Sequence, residues 1–156
     1  MSGVATDLKS EHHSIDERLA EFVAGLDEGE VRAASFRASA RELRHHIYVE
    51  EAHLFPPLRA AGMIPPVLVM LREHGEIWQT LDTVETFLAE DQPDVASLRR
   101  ECERLAAQLA AHNLKEEQIL YPAADESLAT EELEQVAISL VDGDLPGGWR
   151  AEMAPA

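Results

Sequence analysis

The stretch His46-Ile-Tyr-Val-Glu50-Glu51-Ala-His53-Leu54-Phe55-Pro56 decides the fold, because it sets an imidazole and a carboxylate four residues apart in an apolar helical pattern. The same motif, H-x-x-x-E-E-x-x-L-(F/Y)-P, returns as His112-Asn-Leu-Lys-Glu116-Glu117-Gln-Ile119-Leu120-Tyr121-Pro122. Each residue of an α-helix turns by about 100°, so residues i and i+4 lie on one face, about 6 Å apart. Each copy of the motif therefore predicts one edge of a metal site.

A wider repeat surrounds the two motifs. The first predicted helix contains Glu11-His12-x-x-Ile15-x-x-x-Leu19, and the third contains the matching Glu73-His74-x-x-Ile77-x-x-x-Leu81. The third helix therefore repeats the first, just as the fourth repeats the second. Short connections between such helices predict an up-down-up-down four-helix bundle with an internal two-fold repeat. We expect six residues of metal-ligand type to converge inside it: His12, His46, Glu50, His74, His112 and Glu116.

The apolar spacing of three and four residues predicts an all-α chain with little room for strands. We expect a single domain over residues 1–156, with the bundle at about 6–124, a short fifth helix at 130–141 and a tail at 142–156. The first two predicted helices run from an N-cap at Thr6 to Asp27 and from the low thirties to Pro56. The next two run from Pro65 to Glu90 and from an N-cap at Asp94 to Pro122. The fifth begins at Thr130 and is expected to cover the bundle with Val136, Ile138, Leu140 and Val141.

Charge and composition narrow the class of protein. The chain has 13 basic and 30 acidic side chains and a formal net charge of −17, which opposes binding to nucleic acid or an anionic membrane surface. The first residues lack a secretion signal, and no apolar run is long enough to span a bilayer, so we expect a cytoplasmic protein. Cys102, the single cysteine, lies on the stripe of Leu105 and Leu109 and is read as a core residue.

Burying four imidazoles and two carboxylates without partners would cost several kcal/mol for each charge, so the sequence must supply compensation. Metal ions provide it. Nitrogen and oxygen ligands without thiolate suit iron, manganese or zinc, and two ions bridged by Glu50 and Glu116 would each hold two histidines. Such ions keep open coordination positions, and a redox-active pair could then bind or reduce dioxygen or peroxide, which zinc could not do.

With these residues the sequence resembles the hemerythrin-like, or HHE cation-binding, family from about Leu8 to Pro122. The resemblance implies a four-helix bundle around two iron ions joined by an oxo or hydroxo bridge. Functions in the family include oxygen binding, oxygen or iron sensing and peroxide decomposition. Ferritin-like di-iron proteins are the nearest competitor, but they use Glu-x-x-His pairs and more carboxylates than imidazoles.

The chain departs from the oxygen carriers of this family at one position. They have a fifth histidine four residues after the histidine of the third helix, and here that residue is Trp78. One iron should therefore be a ligand short, which favours a catalase-like centre that decomposes hydrogen peroxide. The alternatives are a dioxygen-binding or oxygen- or iron-sensing module without turnover, and a helical interaction domain without metal.

The other residues near the motifs are weaker candidates for the metal site. His53 and Trp78 are candidates for the wall of the pocket, and His53 also for an additional ligand. Glu51 and Glu117 are expected either in solvent or behind the ligands. His13 and His45 are expected at the boundary of the bundle, because they are rotated by about 100° from the ligand stripe. In an ideal helix Tyr48 and Tyr121 point away from the site.

Overall fold

The computed structural model describes residues 3–156, which form seven α-helices and two π-helical turns and contain no strand. The helices are α1 (Val4–Asp27), α2 (Ala33–Val49), α3 (Phe55–Ala60), α4 (Ile64–Leu88), α5 (Val95–Lys115), α6 (Tyr121–Ser127) and α7 (Thr130–Asp142). The prediction of an all-α chain is confirmed. In this part of the chain no helix has the length and apolar character needed to cross a membrane.

Four long helices form a bundle of two hairpins. α1 packs against α2 and α4 against α5, while contacts of α1 with α5 and of α2 with α4 close the ring. Gly29 follows the first helix at φ 78° and Gly62 follows α3 at φ 99°, in the left-handed region that glycine adopts without a steric penalty. The predicted four-helix bundle is therefore present, and the two copies of the repeat lie side by side.

The predicted start of the first helix and the predicted cover by the fifth helix are wrong. α1 begins at Val4 with Gly3 as its N-cap, so Thr6 lies inside the helix, and the buried Val4 extends the apolar stripe by one turn before Leu8. In α7, Val136 is buried, but Ile138 and Val141 are exposed at 55% and 82%. These two residues lie on the opposite side of α7 from the narrow stripe that packs on the bundle, so they do not contribute to its cover.

The two π turns, Glu50–Leu54 and Glu116–Leu120, lie at the same place in each copy of the motif. Their defining hydrogen bonds run from the Phe55 N–H to the Glu50 carbonyl and from the Tyr121 N–H to the Glu116 carbonyl. A proline without an N–H follows each of them, at the start of α3 and of α6. The predicted ends of the second and fourth helices at Pro56 and Pro122 are therefore wrong: the helical path continues through both prolines, and every residue after the π turn is rotated relative to an ideal α-helix.

Two apolar clusters fill the bundle, one on either side of a polar layer. One cluster includes Ile15, Leu43, Ile77 and Leu109, and the other includes Leu8, Leu54, Met70 and Leu120. Each long helix contributes one histidine at or near the boundary between the two clusters: His12 in α1, His46 in α2, His74 in α4 and His112 in α5. The polar layer is thus enclosed by hydrocarbon above and below.

Candidate metal centre

The structure brings all six predicted ligand residues together in this polar layer. Each is buried, with at most 3% of its surface exposed, and both glutamates are at 0%. They form two overlapping sets, within each of which the candidate ligand atoms lie within 4.8 Å of one another. We call these sets the first half (His12, His46, Glu50 and Glu116) and the second half (Glu50, His74, His112 and Glu116).

The two carboxylates are common to both halves because each offers one oxygen to each side. Glu50 Oε2 lies 3.3 Å from His46 Nε2, and its Oε1 lies 3.1 Å from His74 Nε2. Glu116 Oε1 lies 3.1 Å from His12 Nε2, and its Oε2 lies 3.3 Å from His112 Nε2. This arrangement suits carboxylates that bridge two ions.

A second layer of carboxylates orients the four histidines. Each Nδ1 lies 2.8 or 2.9 Å from a glutamate on another helical segment, in the pairs His12–Glu117, His46–Glu11, His74–Glu51 and His112–Glu73. A hydrogen bond donated by Nδ1 fixes the tautomer that leaves the Nε2 lone pair free, and it raises the basicity of the imidazole as a ligand. All four Nε2 atoms consequently face the centre of the bundle.

Sequence reasoning found only part of this layer. Of the two expectations for Glu51 and Glu117, the position behind the ligands is the one observed. The roles of Glu11 and Glu73 were missed. The signal that could have found them is the Glu-His dipeptide at the start of each repeat unit, where the acid and the adjacent histidine recur in register.

The charged side chains of the layer strongly shift one another's pKa values. Burial lowers the pKa of His112, but the nearby charge of Glu116 and the hydrogen bond to Glu73 outweigh it and raise the pKa to about 10. The pKa values of His46 and His74 are raised in the same way against burial, by neighbouring carboxylates. Burial raises the pKa of Glu116, but His112 and His12 overcome this and hold it well below its usual range. The carboxylates therefore favour positive charge in the centre.

Four buried atoms of the second half supply the test of whether an ion fits. Glu50 Oε1, His74 Nε2, His112 Nε2 and Glu116 Oε2 have no hydrogen-bond partner within residues 3–156. A buried polar atom without a partner costs about 1–3 kcal/mol, so four of them facing one another call for a common partner. Two imidazole nitrogens and two carboxylate oxygens are ligands for iron, manganese or zinc, and the residues present fit such an ion.

Tyr121 belongs to the first half, contrary to the expectation from ideal helical geometry. Its Oη lies 2.6 Å from Glu50 Oε2, 3.0 Å from Glu116 Oε1, 3.0 Å from His12 Nε2 and 3.3 Å from His46 Nε2. The π turn is the reason, because it brings the residue five positions after Glu116 back to the inner side of the helix. Burial raises the pKa of the Tyr121 phenol well above its usual value, and the charges of Glu116 and Glu50 raise it further.

Phe55 occupies the corresponding position of the other motif copy. Its ring stacks on His74 with the centroids 5.4 Å apart and an interplanar angle of 20°. The second half thus has a hydrocarbon ring where the first half has a phenol. This difference breaks the two-fold likeness of the centre.

The remaining candidates lie elsewhere. Within residues 3–156 neither ligand set includes His53, which is half-buried against the Tyr48 ring at 6.0 Å. Trp78 is 2% exposed and packs edge-on against Trp149 at 5.5 Å, with the Arg44 guanidinium 5.2 Å from its ring. Trp78 is therefore a core residue that anchors the C-terminal tail. His13 is exposed and His45 is half-buried, as expected for boundary residues.

The C-terminal tail reaches the second half, which the sequence did not predict. The backbone N–H of Glu152 donates a 2.9 Å hydrogen bond to Glu51 Oε1, while Glu51 Oε2 binds His74. A Cβ at Gly75 would lie 2.4 Å from the Met153 carbonyl oxygen, so the close approach of the tail requires glycine there. A cleft of about 470 Å³ separates the tail from α3 and is lined by Glu51, Phe55, Arg59, Leu71, Trp149 and Glu152 among others.

The bundle matches a known protein family. A sequence model described as the hemerythrin HHE cation binding domain matches residues 3–124. The matched range contains both copies of the motif and all six candidate ligands, and it ends before α7 and the tail. The comparisons with curated proteins and with solved structures gave no match.

Proposed function

Because the chain belongs to the hemerythrin HHE cation binding domain family, we propose that its polar layer holds two iron ions and decomposes hydrogen peroxide in a catalase-like reaction. The observation that carries this proposal is the set of four buried, partnerless atoms of the second half. They can be satisfied by a cation, and the first half repeats the same ligand types in the same arrangement.

The residues of the chain hold and orient the site. Glu50 and Glu116 direct one oxygen to each half, so losing either affects both ions. The carboxylates behind the histidines keep each Nε2 directed inward before any metal arrives, which lowers the cost of assembling the site. The apolar clusters on both sides exclude bulk water and strengthen these electrostatic contacts.

When bound, a pair of iron ions supplies redox change and open coordination positions, which zinc does not. The net reaction is balanced without an external reductant. One hydrogen peroxide gives up two electrons and two protons and leaves as dioxygen. A second accepts them and leaves as two water molecules.

Peroxide is small and neutral, which suits the surroundings of the second half. Phe55 stacks on His74 there, and no hydroxyl of the described residues takes the place that Tyr121 has in the first half. The cleft under the tail borders both Phe55 and Glu51, each of which contacts His74. This cleft is the proposed route from solvent to the second half.

The test is evolution of dioxygen from hydrogen peroxide by protein loaded with iron and quantified for metal. We expect turnover by the wild-type chain and its loss in Glu50→Ala. Glu103→Ala is the matched control, because it also removes one acidic side chain from a long helix of the bundle, at an exposed position.

Two other results would replace this proposal. A stable, reversible spectral change on aeration, with no consumption of peroxide, would favour a dioxygen-binding or sensing module. Well below one metal ion per chain, in protein purified without added histidine tags, would favour a helical domain without metal.

A further inference from the structure

Tyr121 touches every ligand of the first half at once. Its Oη is 2.6–3.3 Å from four different donor atoms, one each of His12, His46, Glu50 and Glu116. These four residues are the ones grouped as a possible ion site. In an octahedral shell with bonds of about 2.1 Å, atoms at neighbouring corners lie about 3 Å apart. The phenol oxygen is thus placed as a fifth ligand of this group would be.

We propose that Tyr121 Oη binds the ion of the first half directly, as a fifth protein ligand beside His12, His46, Glu50 and Glu116. This proposal rests on the proposed di-iron site. The phenol gives up its proton to solvent as the ion binds, as metal ligands in general do, and the charge of the cation favours the phenolate even in a buried position.

Hydrogen bonding alone does not account for the four contacts. An ion requires neutral imidazoles, and because each histidine of the first half directs Nδ1 to a carboxylate, its Nε2 then offers a lone pair and no hydrogen. The Glu50 and Glu116 oxygens are acceptors as well. The Tyr121 phenol has one hydrogen, and its shortest contact, to Glu50 Oε2, accounts for it. The other three acceptors around Oη then lack a hydrogen, and a cation among them satisfies all of them together.

The proposal makes the two ions chemically different. A tyrosine bound in the first half occupies a coordination position there, whereas Phe55 in the second half has no ligand atom. The second half would then be the side that leaves a position for exogenous peroxide. The difference arises from the (F/Y) position of the motif, which is Phe55 in one copy and Tyr121 in the other.

The experiment uses the charge-transfer absorption of iron(III)–phenolate and the ring vibrations that resonance Raman enhances within it. The chain has two tyrosines, so two variants assign the signal: Tyr121→Phe, and Tyr48→Phe as the matched control. We expect the signal in oxidised, iron-loaded wild-type protein and in Tyr48→Phe, and its loss in Tyr121→Phe. Should Tyr121→Phe fail to fold, an unchanged signal in Tyr48→Phe assigns it to the other tyrosine.

Wild-type protein with two irons per chain and no phenolate signal would overturn the assignment, and so would a signal that survives in Tyr121→Phe. The outcome for the proposed function is separate. Two irons and a phenolate signal without peroxide turnover would sink the catalase-like reaction and leave Tyr121 as a ligand. A chain that takes up no iron would overturn both.

Discussion

Glu51 Oε2 accepts a hydrogen bond from His74 Nδ1 across 2.8 Å, although Glu51 directly follows the bridging candidate Glu50 in the sequence. We expect Glu51→Ala to weaken iron binding about 10–100-fold, as loss of such an orienting partner does, while saturating iron still fills the site. Chelator competition measures the affinity. Complete loss of iron in Glu51→Ala would show that Glu51 is itself a ligand.

Glu50→Ala and Glu116→Ala are expected to lose most of the iron of both halves, because each carboxylate faces both. Metal quantitation after gel filtration measures this loss, and Glu103→Ala serves as the control for removal of an acidic side chain. A variant that loses one iron and keeps the other would show that the carboxylate serves only one ion.

Metal and pH should act together on stability. In metal-free protein the pKa of His112 is about 10 against 6.5 when unfolded, so its stabilisation is full below pH 6.5 and is lost as the pH rises toward 10. Bound metal instead requires neutral imidazole, and it stabilises the fold by about 2.7 kcal/mol per site at a free concentration of 100 Kd. We therefore expect the Tm difference between loaded and metal-free protein to widen from pH 6.5 to 9. A constant difference would contradict this coupling.

Cys102 is expected to be nearly inert in the folded protein. Burial, followed by the charge of Glu101, raises the pKa of its thiol from 9.0 to about 11, which lowers the thiolate fraction at pH 8 about 100-fold. The side chain is also only 1% exposed. Thiol titration at pH 8 should be slow in native protein and rapid in denaturant. Equal rates in the two states would show that the helices around Cys102 open freely.

Gly75→Ala is expected to displace the C-terminal tail, because the added Cβ would meet the Met153 carbonyl at 2.4 Å. Trp149 would then leave the Trp78 ring, and tryptophan fluorescence should shift toward that of an exposed indole. Gly147→Ala is the matched control, since a Cβ there has nothing within 4 Å. The same spectrum in both variants would mean that the tail tolerates the extra atom.

The sequence predicts the six central residues because their positions depend on two robust quantities. One is the four-residue spacing on a helix, and the other is a repeat that places two such helices in register. The position of the Tyr121 side chain does not follow from these two quantities, since a regular helix would turn it about 140° away from Glu116. A single π turn removes most of that angle, and hydrophobic periodicity carries no trace of it.

The histidines that Glu11 and Glu73 contact, and the attachment of the tail, could not be predicted for another reason. Glu11 reaches His46 and Glu73 reaches His112 only through the rotation of neighbouring helices, which no spacing within one helix determines. Beside the second half the tail attaches through a backbone N–H and a carbonyl oxygen, and every residue except proline carries both groups. Trp149 adds a side-chain attachment, because its ring packs on both Tyr48 and Trp78.

The attachment of the tail also bears on where this protein can be cut or extended. A fragment that stopped at residue 124, where the family match ends, would contain every candidate ligand and yet expose the Trp78 indole and leave Glu51 without its contact to Glu152. An affinity tag or partner domain fused after Ala156 would be joined directly to the tail, which lines the cleft beside the second half.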